Sequence, residues 1–428
     1  MADALDQLVD AVQRGRADEI PQLVTAHPEL RQRINDPHPK LSFDATPLLE
    51  AVSQKNRALI EALLAAGADI NARSGWWAGG FGVLHGSDLG LAPFLIERGA
   101  TVDGHAAARL GRLDVLGELL DRDAALVHAR GGDGQTPLHF AATVPIAQLL
   151  LDRGADIDAR DIDHESTPAQ WMVGERLDVA RHLVEAGCRT DILMTAALGD
   201  LERTRAHLDA DPSSVRVRVS ERDFPKKNPR AGGTIYNWTL GGHKTPHAVA
   251  RARGHEAIYQ LLVERSPMTT RLVAACETGD EAALAALLAE RPRLAAELDE
   301  DDRARLVSAA EANDLRTTRL LLRAGWPLDV RGGYGGTALH WAAWHGHAAM
   351  VAELLRYHAD LEARDPNHDG TPLDWALHGS LNSWHRQRGD YGATIDALAA
   401  AGAKVPGAQA AFEASDAARE AVGRARSR

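Results

Sequence analysis

Cysteine is nearly absent from this 428-residue chain: only Cys188 and Cys276 occur. A disulfide framework is thereby excluded, and two thiols far apart in sequence point to a reducing compartment, the cytoplasm. Aromatic residues make up only 5% of the chain, so its apolar material is mostly Ala, Leu and Val, which suits closely stacked helix pairs. Basic residues are outnumbered, 48 against 60 acidic, for a formal net charge of −12. Such a field disfavours nucleic acid or an anionic membrane as partner. Apolar runs are short and interrupted by Arg or Glu, and the opening residues offer no secretory or membrane segment. There is no Gly-x-Ser-x-Gly, no phosphate loop and no paired-cysteine zinc pattern.

What the chain does have is repetition. Gly67-Ala-Asp-Ile-Asn-Ala-Arg73, Gly154-Ala-Asp-Ile-Asp-Ala-Arg160 and His358-Ala-Asp-Leu-Glu-Ala-Arg364 are nearly one phrase. Thr136-Pro-Leu-His139, Thr337-Ala-Leu-His340 and Thr371-Pro-Leu373 are similar openings. Thr136 to Thr167 is a step of 31 residues and Thr337 to Thr371 one of 34. The chemistry of each place fits a helix pair. Thr136 is an N-cap, and Pro137 sits where its missing N–H is harmless. Ala141 and Ala142 allow close approach, Leu149 to Leu151 supply a buried face, and Gly154 closes the second helix.

Self-similarity near ~33 residues with Thr-Pro-Leu-His followed by paired alanines resembles the ankyrin repeat family, in a divergent, bacterial-style form. The resemblance implies an all-α repeat solenoid, a stack of helix-turn-helix units. It implies a capping repeat over 1–33, an array over 44–218, a second array over 243–403 and a basic tail over 404–428. Residues 219–242 break the period. Val215-Arg-Val-Arg-Val219 alternates like a strand, and Gly233-Thr-Ile-Tyr-Asn-Trp-Thr239 is β-rich, so an inserted β-hairpin is expected there.

Binding in this family uses the turn tips and the first-helix face, which line a concave groove. On that resemblance Tyr334, Trp344 and His345 are binding candidates in one repeat. His368 and Asp369 in the next turn, and His164 and Glu165 in an earlier one, are candidates by position. Tryptophan usage adds to the set. Nine of twenty aromatic residues are Trp, and those on loops and inserts (Trp76, Trp77, Trp238 and Trp384) are candidate anchors, with Tyr236 and His385 beside them. Trp171, Trp341 and Trp375 precede the small residues of first helices and read as packing. His85, His139 and His340 stand at the signature histidine place and read as structural.

Two functions follow. The first is a non-catalytic scaffold holding a protein partner on its concave face. The second is a site for a small aromatic or sugar-like ligand, with the insert as a lid. If that site were an enzyme's, His345 or His378 would be the general base and Asp369 would orient it. No metal-ligand spacing is recognisable, and no cofactor is implied. Lys226, Lys227 and Arg230 read as a solvated tip of the insert.

Overall fold

The protein is described by a computed structural model covering residues 3–86, 88–384, 386–407 and 412–427. It divides into two compact units: Met1–Leu198 with Arg218–Lys244, and Gly199–Val217 with Thr245–Arg428. Each is built from antiparallel helix pairs.

In the first unit the pairs include Ala4–Gln13 with Glu19–Ala26, Pro47–Ser53 with Arg57–Ala65, Gly104–Arg109 with Leu113–Arg122 and Pro168–Met172 with Leu177–Glu185. The threonines start them as their chemistry requires. Thr46 Oγ1 accepts the Leu49 N–H, and Thr167 and Gln170 form a reciprocal capping box, with Pro47 and Pro168 in the first helical turn. Gly67 and Gly154 close second helices at φ +104° and +86°, conformations that a side chain would strain. In the second unit Ala338–Trp344 pairs with Ala348–Arg356, and Pro372–Asn382 with Tyr391–Ala400. The signature histidines tie each repeat to the next: His139 Nε2 donates to the Ser166 carbonyl at 3.2 Å and His340 Nε2 to that of Gly370 at 3.1 Å. These buried bonds fix the spacing of neighbouring turns.

Two expectations are corrected. No strand occurs among the described residues, so residues 219–242 are not a β-hairpin. The valine alternation is interrupted by a 3₁₀ turn, Pro212–Arg216. Within the insert, N–H groups close local turns, Phe224 N onto Ser220 O and Trp238 N onto Ile235 O, and Asn237–Gly241 is a single π-helical turn. Only the neck pairs like a ladder, through Val219 N to Lys244 O and His243 N to Val219 O. The N–H groups of Lys227, Asn228, Gly232 and Ile235 are satisfied by a neighbouring repeat turn, as set out below, in place of a facing strand. The second correction concerns the basic tail. It carries a helix, Asp416–Arg426, whose Ala418, Ala421 and Val422 are buried in the core that contains Ile395 and Leu398. It covers the apolar face of the Tyr391–Ala400 helix.

No helix among the described residues is long and apolar enough to cross a membrane. Cys188 and Cys276 are both buried and lie in different units. Burial pushes the Cys276 thiol up to about 12.

Candidate functional site

Two clusters hold the candidate residues, one in each unit. In the second unit the first helices of adjacent repeats, Ala338–Trp344 and Pro372–Asn382, carry a continuous aromatic patch. Trp375 meets Trp341 edge-on at 5.5 Å between centroids and Trp344 at 6.0 Å. Trp384, from the segment after Asn382, lies 6.2 Å from Trp341 and 6.3 Å from Trp344. Tyr334 extends the patch at the turn tip, 6.2 Å from Trp341. Burial is graded across it. Trp341 is 4% exposed and Trp344 half-buried, whereas Tyr334 and Trp384 are 67% and 61% exposed. The register that places Trp341 toward the neighbouring repeat is therefore the one observed.

A turn motif explains part of this arrangement. Asp161-x-x-His164-x-x-Thr167-Pro168-x-x-Trp171 and Asp365-x-x-His368-x-x-Thr371-Pro372-x-x-Trp375 are the same pattern. In both, the aspartate accepts the indole N–H at 2.9 Å and backbone N–H groups of its own turn. Burial alone would raise Asp365, but the Trp375 N–H and three turn N–H groups outweigh it and hold the carboxyl down to about 2. In the Tyr334 turn, Gly332 takes the aspartate's place, closing the loop by its N–H to Gly336 O as Asp161 N does to Ser166 O. The Trp341 indole N–H is consequently buried without an acceptor, as is that of Trp344. An unmet buried donor costs about 1–3 kcal/mol and is rare in folded proteins.

The polar candidates of this unit do not assemble into an acid–base pair. His345 is fully buried, with Nδ1 2.9 Å from Ser383 Oγ and its ring 5.0 Å from that of Trp384. Asp369 is exposed at the turn tip and its carboxylate accepts from Arg364 Nη1 at 2.9 Å, so it does not orient a histidine. His368 is exposed, its backbone N–H held by Asp365. His378 is exposed, 5.6 Å from the Trp344 ring, with Nδ1 3.2 Å from Asn382 Nδ2. His385 lies outside the described residues. An open cleft of about 580 Å³ in the same unit is lined by Asp329, Arg331, Asp360, Glu362 and Arg364 and by no ring of the patch.

In the first unit the insert is docked on the turn that follows Asp161. Glu165 accepts the N–H groups of Lys227 and Asn228 at 2.8 Å, and Ser166 Oγ accepts that of Ile235 at 3.1 Å. Gly232 N donates to the Asp163 carbonyl at 2.8 Å. His164 Nδ1 donates to Gly233 O at 2.9 Å, and its ring meets the exposed Trp238 edge-on at 4.7 Å. Glu165 and His164 thus hold the insert. Tyr236, expected at a binding surface, is fully buried, and its hydroxyl donates to Asp191 at 2.8 Å. It is a packing residue, with a phenol raised well above its usual range by burial and by Asp191. Trp76 and Trp77 are half-buried. Trp76 packs edge-on to Phe43 at 5.1 Å, and the Arg230 guanidinium sits 4.5 Å over the Trp77 ring. Arg230 is exposed, as a tip residue, but its guanidinium is stacked on that ring. Sequence reasoning placed Asp163 in the turn of His164 and Glu165 but passed over Asp133; both are buried, at adjacent tips. The signal for them was position within the repeat, one at the glycine-rich tip and one in the shared Asp-His-Thr-Pro-Trp turn.

Helix pairs with capped turns, chained by signature histidines, define a helical repeat protein. The "Ankyrin repeat" family model matches residues 43–75 and 133–162, and "Ankyrin repeats (many copies)" matches 306–355. The chain is 28% identical over 149 residues to the mouse Ankyrin repeat and SAM domain-containing protein 6, covering 34% of this chain and 16% of that protein. It is 25% identical over 398 residues to the Ankyrin repeat domain-containing protein SAT10 of Stachybotrys chartarum, covering 81% of this chain and 20% of the relative. Over 131 residues it is 26% identical to Phosphocholine transferase AnkX of Legionella pneumophila, covering 25% and 14%. The chain thus spans no more than a fifth of the length of these relatives. The matched segments are thus repeats of the ankyrin type, and ankyrin repeats generally mediate protein–protein interaction.

Proposed function

We propose that this chain is a non-catalytic scaffold that recognises a protein partner through the aromatic patch between Tyr334 and Trp384. One observation carries the reading: two strongly exposed rings, Tyr334 and Trp384, stand on a bed of three further tryptophans from adjacent first helices. Exposed Trp and Tyr set beside buried neighbours are the residues that anchor interfaces. The patch suits a segment presenting an aliphatic or aromatic side chain. The alternative of acid–base catalysis loses its support, since Asp369 is engaged by Arg364 and His345 is enclosed.

The test is selection of binding peptides from a displayed library on the immobilised chain, followed by affinity measurement with Tyr334→Ala and Trp384→Ala. Each substitution is expected to weaken selected peptides about tenfold or more while leaving the circular dichroism spectrum unchanged. Peptides that bind both variants as tightly as the natural chain would place the interface elsewhere.

A further inference from the structure

The insert of the first unit covers a feature that packing does not explain. The tips of two adjacent repeats meet there because Gly134, in the Gly131-Gly-Asp-Gly134 turn, has no side chain to separate them. Gly134 has φ +70°, and a Cβ on it would stand 2.4 Å from Ile162 Cγ1. Ile162 and Asp163 both donate backbone N–H groups to the Asp133 carbonyl. The side chains of Asp133 and Asp163 are therefore brought together at 6% and 4% exposure, with His164 beside them. One ligand atom from each of the three lies within 4.8 Å of the other two.

Three details distinguish this cluster from an ordinary acidic turn. Asp133 Oδ1 is buried without a hydrogen-bond partner. His164 gives its Nδ1 proton to Gly233 O, which leaves Nε2 facing Asp163, whose Oδ2 is 3.6 Å away. That is the arrangement by which proteins fix the tautomer of a ligating histidine. Asp163 Oδ1 meanwhile accepts from Gly232 N at 3.2 Å, which orients the second carboxylate.

We propose that Asp133, Asp163 and His164 bind a divalent transition-metal ion of the Zn²⁺ type, which locks the 218–244 insert onto the repeat tips. One imidazole nitrogen and two carboxylate oxygens are a donor set that such ions accept, with solvent completing the shell. The lock follows from the bonds above, since both Asp163 and His164 also hold the insert's Gly232–Gly233 backbone. The electrostatics agree. Asp133, Asp161 and Asp163 place three buried carboxylates in two adjacent turns. A dication removes the repulsion that makes this carboxylate group costly to ionise. The second histidine–carboxylate group, His85 with Asp103 and His105, is weaker. His105 Nε2 lies 3.1 Å from the carbonyls of both Ala129 and Gln135, so that nitrogen is a donor and no ligand.

The test uses the full chain stripped by chelator, with Zn²⁺, Ca²⁺ and Mg²⁺ as separate titrants, read by calorimetry and by competition with a chromophoric chelator. One Zn²⁺ per chain is expected, with binding weakened about tenfold or more in Asp133→Asn and in His164→Gln. Asparagine keeps the left-handed backbone of residue 133 (φ +56°) and the shape of the side chain, so the first variant is expected to fold. Zn²⁺ is also expected to slow hydrogen exchange at the Gly232 amide, and Co²⁺ to give a tetrahedral-type visible spectrum that His164→Gln abolishes. Failure to bind Zn²⁺, preference for Ca²⁺ or Mg²⁺, or stoichiometric Zn²⁺ retained by both variants would each overturn the assignment.

Discussion

His247 offers a direct test of how burial couples this array to pH. Its side chain is fully enclosed, with Nε2 2.9 Å from Ser266 Oγ and Nδ1 buried without a partner. Burial pushes the imidazole down to about 4, opposed by the Leu262 backbone and aided by the positive charge of Arg305. An unfolded histidine titrates near ~6.5. Because the folded value is the lower one, the unfolded chain takes up the proton first. The stability contributed by the neutral ring is full above about pH 6.5 and is lost as pH falls through the window from ~6.5 to ~4. Linkage gives a loss of about 1.4 kcal/mol at pH 5.5 and about 2.6 kcal/mol at pH 4.5. His247→Gln keeps a donor for Ser266 but cannot titrate. Urea unfolding followed by circular dichroism at pH 7.5, 5.5 and 4.5 should show the natural chain losing those amounts more than the variant. Groups unaffected by the substitution, including His340, which burial also lowers, cancel in the difference. Parallel pH profiles for the two proteins would refute the reasoning.

Further outcomes follow from the packing. Trp341→Ala should cost about 3–5 kcal/mol in urea unfolding, as a large core deletion, and Trp384→Ala less than about 1 kcal/mol, because the ring is mostly exposed. Tyr236→Phe should cost about 1.5–3 kcal/mol through the lost bond to Asp191. Deleting residues 221–241 removes Ala231, Ile235 and Tyr236 from the core and leaves Glu165 without the two N–H groups it accepts. The melting temperature of the first unit should fall, and amides of the Asp161–Thr167 turn should exchange faster.

The repeats were legible because their signals are local. Thr-Pro caps, paired alanines and closing glycines each specify a helix end within a few residues, and their recurrence gives the architecture. The insert misled because alternating valines carry the same period-2 signal whether or not a strand partner exists. Here Glu165, Ser166 and Asp163, over fifty residues away, take the donors that a hairpin would have paired. In the basic tail, Arg419, Arg424 and Arg426 mask the helical spacing of Ala418, Ala421 and Val422, which are buried. Of the candidate site, the exposed aromatics were readable from loop position and rarity. The burial of Tyr236 and His345 was not, since it depends on Asp191 and Ser383, far along the chain. The shared Asp-His-Thr-Pro-Trp turn was present in the sequence, and with it the reason Trp341 has no acceptor: Gly332 stands where two other turns have aspartate.

The central claim is that the patch from Tyr334 to Trp384 is the recognition surface. Hydroxyl-radical footprinting of the chain with and without a selected partner measures this directly. The account predicts strong protection of Tyr334, Trp344 and Trp384, with oxidation of Trp238 in the first unit unchanged. Protection at Trp238 with Tyr334 and Trp384 still fully reactive would contradict it.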